Sequence, residues 1–394
     1  MVRSLYFLYD GKNENCAIIF RYLKNFQCQL ESKALALDFW SLKRLLQTLL
    51  QTLLQTLLQT LLQTLLLQTI KNSLQSKILM NNNMFQDHPF GITTIDTGFT
   101  RPHFAASHLL VENNHAAYID VGTTYSVPRL LDVLQQKNIP SENVDYVIVT
   151  HVHLDHAGGA GKLMQALPNA RLVAHPRGAR HMIEPSVLIA SAQVVFGEET
   201  FLARYGEIVP VAAERVIEAS DEHVIDFQGR SLLFLDTPGH AKHHFCLFDE
   251  RAKCFFTGDT FGISFKEFET PKGAFIFAST TPVQFDPPAL HNSINRLLSY
   301  HPEKMYLTHY GEVTEVAKLA DKLHESIDKQ VALTEAVADS SGKERHTRLV
   351  EEIMRYFLNE LQQLGCTLAP ETCRELLATD AEINALGIEK SVFH

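Results

Sequence analysis

The sequence predicts an α/β domain of layered sheets with a C-terminal helical extension. Two patterns carry that expectation. Short apolar segments alternate with amphipathic ones between about residues 90 and 310, and from about Val313 onward the pattern is mostly helical, as in "HTRLVEEIMRYFLNELQQLG". The size agrees. A chain of 394 residues, 45% hydrophobic and 20% charged, can bury a sizeable core in one large domain with additions, or in two domains.

The elements follow in order. Residues 47–66 are five copies of the unit QTLL. A period of four lies close to the helical 3.6, so the leucine pairs would form a slowly drifting apolar stripe. Such a tract is an amphipathic or self-associating helix, or a low-complexity extension with nothing to pack against. A third reading is favoured as a hypothesis: the repeat arises from tandem repetition in the coding DNA, Met80 and Met84 both offer starts, and residues 1–79 are not part of the native protein. A peptide covering the repeat, found by mass spectrometry of the native N-terminus, would sink it. "NNNMFQDHP" is polar and turn-rich and makes a boundary. The expected division is therefore a low-complexity extension over 1–83, a catalytic domain over 84–315 and a helical extension over 316–394 packed on it.

Within the domain, "GITTID", "ASHLLVE" and "AAYIDVG" read as strands, and "VPRLLDVLQQKN" as a helix. "VDYVIVT" is a buried strand that delivers the chain into His151. "GKLMQALP" is a helix stopped by proline, and "ARLVAHP" the next strand. "RSLLFLDTPG", "HHFCLFDE" and "CFFTGDT" are later strands. Helical "ALHNSINRLLSYHP" precedes the strand "KMYLTHYG".

Charge and cysteine usage exclude some functions. The net charge is −10; residues 1–80 carry nine Lys/Arg against four Asp/Glu, so the remainder is acidic. An acidic body argues against binding nucleic acid. Six cysteines without a C-x-x-C pair read as reduced thiols of a cytoplasmic protein. The N-terminus lacks a secretory pattern, and no continuous apolar run of about 20 residues predicts a membrane span.

Chemistry concentrates in "THVHLDHAGGAG", where His151, His153, Asp155 and His156 fall between a strand and a helix. Imidazole and carboxylate suit Zn²⁺, Mn²⁺ or Fe²⁺. Four donors exceed what one catalytic ion takes from one loop, and such an ion must keep a position for water. Two ions sharing the set follow, with further donors from elsewhere. His240 in "DTPGHAKHH", Asp259 in "FFTGDTFG" and His309 in "MYLTHYG" each end an apolar strand beside glycine.

The ordered set "THVHLDH", "TPGHA", "TGDT" and "THYG" resembles the metallo-β-lactamase fold superfamily, nearest its glyoxalase II-like hydrolase branch, over roughly residues 90–315. The resemblance implies a four-layer αβ/βα sandwich with metals at one edge between the sheets. It implies that His151, His153 and His240 hold one ion, that Asp155, His156 and His309 hold the other, and that Asp259 bridges them. Asp155 and Asp259 are then the catalytic carboxylates, and Asp120 in "YIDVG" steadies the metal loop. The cofactors implied are two divalent ions, zinc first, with iron or manganese as alternatives. A hydroxide shared by the ions would attack a carbonyl carbon while one ion stabilises the oxyanion.

Single positions narrow the branch. His153 stands where related diiron oxygen-reducing proteins carry glutamate, which disfavours that redox chemistry. His156 and Asp259 together disfavour a lactam hydrolase of the zinc type. The basic residues that hold glutathione in glyoxalase II have no match here. The expectation is a binuclear hydrolase cleaving an ester-like bond of a small molecule, a thioester first and a lactone second. A mononuclear-iron persulfide dioxygenase and a non-catalytic metal-binding protein are the alternatives. His175, Arg177, Arg180 and His181 read first as a solvated helix start and second as the lining of a pocket for an anion; His243 and His244 read as strand residues, one of them a candidate donor behind the metals. Tyr205 and Tyr310 read as packing, and the segment from Ile276 as a pocket wall or a connecting loop. Neither nucleic acid nor membrane is expected as a partner, and the leucine-rich helix at 350–364 packs on the domain or forms a homodimer.

Overall fold

Two sheets frame the molecule, and their faces explain the apolar alternation. The computed structural model describes residues 84–280 and 284–393, with isolated helical positions between 44 and 59. Met1–Met80 forms one unit and Asn81–His394 another. The expectation for residues 1–83 otherwise lies outside the described residues.

In the first sheet, β1 (Phe85–Asp87), β2 (Ile92–Asp96), β3 (Ala106–Glu112) and β4 (His115–Ile119) form an antiparallel meander. β5 (Val144–Ile148), β6 (Arg171–Ala174) and β7 (Val216–Glu218) extend it in parallel. Parallel neighbours need crossovers. These carry α1 (Val127–Gln136), α2 (Leu154–Ala157), α3 (Ala160–Ala166), α4 (Pro176–Ile183), α5 (Ser186–Phe196) and α6 (Glu198–Tyr205). In the second sheet, β8 (His223–Phe227), β9 (Arg230–Asp236), β10 (Phe245–Asp249) and β11 (Cys254–Phe256) are antiparallel. α7 (Pro287–Leu298) returns the chain to β12 (Lys304–Leu307), parallel to β11, and β13 (Gly311–Val313) closes the edge. α8 (Val316–Ala332), α9 (Gly342–Leu364) and α10 (Pro370–Phe393) follow.

Side chains alternate across a strand, so a strand buried on both faces is apolar throughout. In β4, Ala116 and Tyr118 pack with Leu130 and Val133 of α1 and Leu163 of α3. Ala117 and Ile119 instead enter the core between the sheets, with Phe234, Phe245 and Leu247 of the second. The same alternation in β10 sends Cys246 and Phe248 to the outer side, under the C-terminal helices. Four layers result, helices–sheet–sheet–helices, as the family resemblance implies. Each buried phenylalanine contributes roughly 2–3 kcal/mol through the area it removes from water.

The helices from Val316 onward cover the second sheet. Leu349, Ile353, Phe357 and Leu361 recur every four residues on α9 and are buried, and the Phe357 ring lies 4.6 Å from that of Phe277. Asp286 caps α7 by accepting from Ala289 N, and Pro287 and Pro288 start it without losing a helical bond. Among the described residues, no single helix is long and apolar enough to cross a membrane. The four described cysteines are free.

Candidate metal centre

β9, β11 and β12 run in one direction, and β4 runs alongside β5. Polar residues just beyond their C-terminal ends converge. Ligand atoms of His151, His153 and His240 lie within 4.8 Å of one another, as do those of His151, His156 and Asp259, and those of Asp155, His156 and His309. All seven residues nominated from sequence therefore meet in one place. His151 and His153 sit in the loop after β5, while Asp155 and His156 are carried by the single turn of α2. Asp259 follows Gly258, whose φ is +47°. A Cβ there would lie 2.5 Å from Thr150 Oγ1 and 2.6 Å from His244 Nε2. The glycine thus serves both the left-handed turn and the close approach.

Outer partners fix which nitrogen of each ring faces inward. His309 Nδ1 donates to Phe104 O (2.8 Å) and His240 Nδ1 to Ser279 O (3.1 Å). His156 Nδ1 donates to Asp120 Oδ2 at 2.7 Å. The Thr150 hydroxyl donates to Asp120 and lies 3.1 Å from His151 Nδ1, whose proton it can accept. The Nε2 atoms of all four rings are left for the centre. His153 turns Nδ1 inward instead, 2.7 Å from His151 Nε2 and 3.2 Å from His240 Nε2. Asp120 is fully buried with φ +52°, and accepts also from Thr150 N (2.8 Å) and Thr308 Oγ1 (2.6 Å). One carboxylate ties the ends of β4, β5 and β12 together.

The electrostatics separate two kinds of histidine. Burial, reinforced by neighbouring rings, holds His151 and His153 well below the ordinary histidine value, so both are neutral lone-pair donors. Burial lowers His240 as well. For His156 burial pulls down, but the carboxylates of Asp259, Asp120 and Asp155 outweigh it and hold the ring well above that value. Asp259 is the counterpart: burial would raise its carboxyl, and the rings of His156, His240 and His309 hold it well below the usual range. His309 is raised too: burial pulls it down, and the Asp259 and Asp155 carboxylates outweigh that. Protonated rings here balance the carboxylates, a role that a bound cation can take over.

A metal ion fits this arrangement. His156 Nε2 and Asp259 Oδ1 are buried, 3.2 Å apart, and without the geometry of a hydrogen bond to any partner. A buried polar atom left unmatched costs about 1–3 kcal/mol, and a divalent cation among these donors would satisfy both. Nitrogen and carboxylate donors together suit first-row divalent ions.

The remaining nominated residues fall outside this set. His175 is buried, accepts from Arg177 N at the start of α4, and approaches Asp236 Oδ1 at 3.0 Å, so its ring is committed to structure. Arg177 and Arg180 are exposed. Tyr205 is buried and stacks on Phe99, and Tyr310 Oη lies 2.8 Å from His103 Nδ1. His243 and His244 precede β10 rather than lying within it. His244 accepts from Asp259 N (3.2 Å), and its ring stacks 4.8 Å from that of His151. It therefore positions the carboxylate from behind as an acceptor, where sequence suggested a donor. Phe104, Thr150, Ser279 and Thr308 were not nominated, although Thr150 and Thr308 each stand beside a histidine of the set.

Fold and site together define the class. The chain belongs to the metallo-beta-lactamase superfamily, whose family model matches residues 100–309, more than half its length. Members of that superfamily are mostly metal-dependent hydrolases. Among individual relatives, the metallo-beta-lactamase fold-containing protein ST1585 of Sulfurisphaera tokodaii is 24% identical over 217 residues, 54% of this chain and 75% of that protein. The solved structure of ST1585 shares the fold, with a TM-score of 0.54, 22% identity, and coverage of 76% of this chain and 98% of that one. The acyl-coenzyme A thioesterase MBLAC2 of Gallus gallus is 31% identical over 114 residues, 28% of this chain and 40% of that protein. The hydroxyacylglutathione hydrolase of Francisella philomiragia is 24% identical over 157 residues, 39% of this chain and 46% of that protein. This chain thus spans less than half the length of these last two relatives.

Proposed function

We propose that the protein hydrolyses an ester-like carbonyl bond of a small molecule, a thioester first and a lactone second, with two divalent cations. The observation that carries this reading is the pair of three-donor sets flanking Asp259, with His156 Nε2 and Asp259 Oδ1 buried between them without a hydrogen bond. In this reading His151, His153 and His240 hold one ion, Asp155, His156 and His309 hold the other, and Asp259 serves both. Zinc is the first choice, with iron or manganese as alternatives. Bound there, such ions make water acidic enough to supply hydroxide near neutral pH and polarise a carbonyl oxygen.

The chain's own groups prepare the rest. Asp120, Thr150 and the carbonyls of Phe104 and Ser279 hold the rings in the tautomers that leave the inner nitrogens free. His153 and Asp155 are half-buried while the other five nominated donors are buried, so substrate reaches the centre from their side. Phe104 packs edge-on against His309 at 5.4 Å, and Phe99 and Tyr205 continue that apolar wall. An acyl group suits such a wall better than a charged one does. The likeness to an acyl-coenzyme A thioesterase supports the thioester, and the acidic composition beyond residue 80 supports a small molecule over nucleic acid.

The test joins metal analysis to an activity panel. Wild type and Asp259→Ala are compared for ions per chain and for turnover of acyl-coenzyme A, glutathione thioesters and lactones. About two ions in wild type, fewer in the variant, and thioester cleavage that a chelator abolishes and added zinc restores are expected. A single iron with oxygen uptake on a persulfide would replace this reading with the sulfur dioxygenase. Bound ions without turnover on any ester would leave a metal-binding protein.

A further inference from the structure

The C-terminal helices reach the metal centre through a short backbone segment. Ser279 O receives the Nδ1 proton of His240. The residues on either side of Ser279 are tied to α8 and α10. Ala278 O accepts from Asn384 Nδ2 (2.9 Å) and from Gln330 Nε2 (3.1 Å), and Ala278 N donates to Ser326 Oγ (3.1 Å). Thr280 N donates to Asn384 Oδ1 at 3.1 Å, and Thr280 Oγ1 donates to the backbone carbonyl of Asn384 at 2.9 Å. Asn384 also donates to Gln330 Oε1 at 2.8 Å. Both ends of its amide are thus committed, and only 1% of the residue is exposed.

This placement is costly unless it does something. Asparagine is a poor helix former, and Asn384 sits in the interior of the 24-residue α10. It spends its side chain on a segment 104 positions earlier in the chain. That segment presents one carbonyl to one ring, and the direction of that carbonyl sets the plane in which His240 Nε2 points inward. A partner of this kind orients a ligand without touching the ion.

We infer that Asn384 is a positioning residue of the metal centre, holding residues 278–280 so that Ser279 O aims the His240 ring. The inference rests on the reading of His240 as a metal ligand. It makes the region from residue 316 a component of the site as well as a cover for the second sheet.

The test reads the bound ion. The full chain is stripped of metal and titrated with Zn²⁺ against a competing chelator, in a His309→Ala background that leaves the His151, His153 and His240 set intact. Asn384→Ala is expected to weaken zinc about tenfold, the lower end of what loss of an outer partner costs. It should also alter the visible spectrum of the Co²⁺-substituted protein, which a purely structural role would leave alone. A folded Asn384→Ala with parental affinity and spectrum overturns the inference. If that variant fails to fold, Gln330→Ala decides, since it removes the parallel bond to Ala278 O, together with the bonds of Gln330 to Asn384 and Ser326, and leaves Asn384 itself in place: about threefold weakening supports the inference and unchanged affinity overturns it. Failure of the thioester panel would sink the proposed reaction and leave this result standing, because the readout is the ion.

Discussion

Two buried charge clusters can be compared directly. Arg230 and Asp249 lie in the second sheet with fully inaccessible side chains, as do His156 and Asp120 at the metal centre. The first cluster is complete. Arg230 Nε and Nη2 both donate to Asp249 Oδ2, Nη1 donates to Phe90 O, and Asp249 Oδ1 accepts from Ala252 N. The second is incomplete, because His156 Nε2 and Asp259 Oδ1 lie 3.2 Å apart as an ion pair without a hydrogen bond to each other or to any other group. Buried polar groups are almost always matched, so the mismatch is the informative one. A finished network stiffens the fold, and an unfinished one leaves donors that a cation could satisfy.

The comparison breaks if the two clusters respond alike. The largest effect is expected at the finished one. Asp249→Ala leaves the buried Arg230 guanidinium with only the longer Glu112 contact at 3.5 Å as counter-charge, which costs about 3–5 kcal/mol. Urea unfolding should show this loss, with ions per folded molecule unchanged. A parallel drop in bound metal would mean that the clusters are not independent.

Asp380 on α10 sharpens the contrast, since it is buried with Oδ2 partnerless. Burial pushes its carboxyl up to about 7, against the pull of His309 and Arg101, and Asp259 adds to the rise. The folded state therefore binds this proton more tightly than the unfolded state, whose value is 3.8. Stability contributed by the protonated form is full below about pH 4 and is lost as pH rises to about 7. Asp380→Asn should stabilise the metal-free protein by about 2–4 kcal/mol at pH 8 and by almost nothing at pH 4. Equal gains at both pH values, measured by denaturant unfolding, would show that Asp380 is not the titrating group.

The smallest of these effects concerns the centre's own support. Asp120→Asn keeps the shape but loses an acceptor shared by His156 Nδ1, Thr150 and Thr308. Zinc should bind about 10–100-fold more weakly, measured by chelator competition, with the fold retained. Binding unchanged from wild type would make Asp120 a turn residue only.

Much of this was legible in the sequence, and for physical reasons. His151 to His156 crowd one loop, and His240, Asp259 and His309 each end an apolar strand, so residue type and position agree. The mixing of strands and helices gave an α/β domain of layered sheets, and the family resemblance implied the four layers. β1, β7, β8 and β13 escaped notice because strands of three to five residues, partly exposed, carry too little pattern. The supports of His240 and His309 were hidden because backbone carbonyls have no residue signature, and Asn384 because nothing in sequence links it to residue 280. His175 stands at a helix start, one of the two readings open to it, but its ring is buried and caps α4 instead of being solvated.

The donors are divided between the two sheets. His151, His153, Asp155 and His156 follow β5 in the first, and His240, Asp259 and His309 follow strands of the second. During synthesis the first four emerge together, as a short chelating peptide with nothing to close over it. His309 emerges last, after every other donor has left the ribosome. Translation order therefore sets the order of assembly: the His151, His153 and His240 group can form before His309 is made, and the group of Asp155, His156 and His309 only once the final strand has joined its sheet.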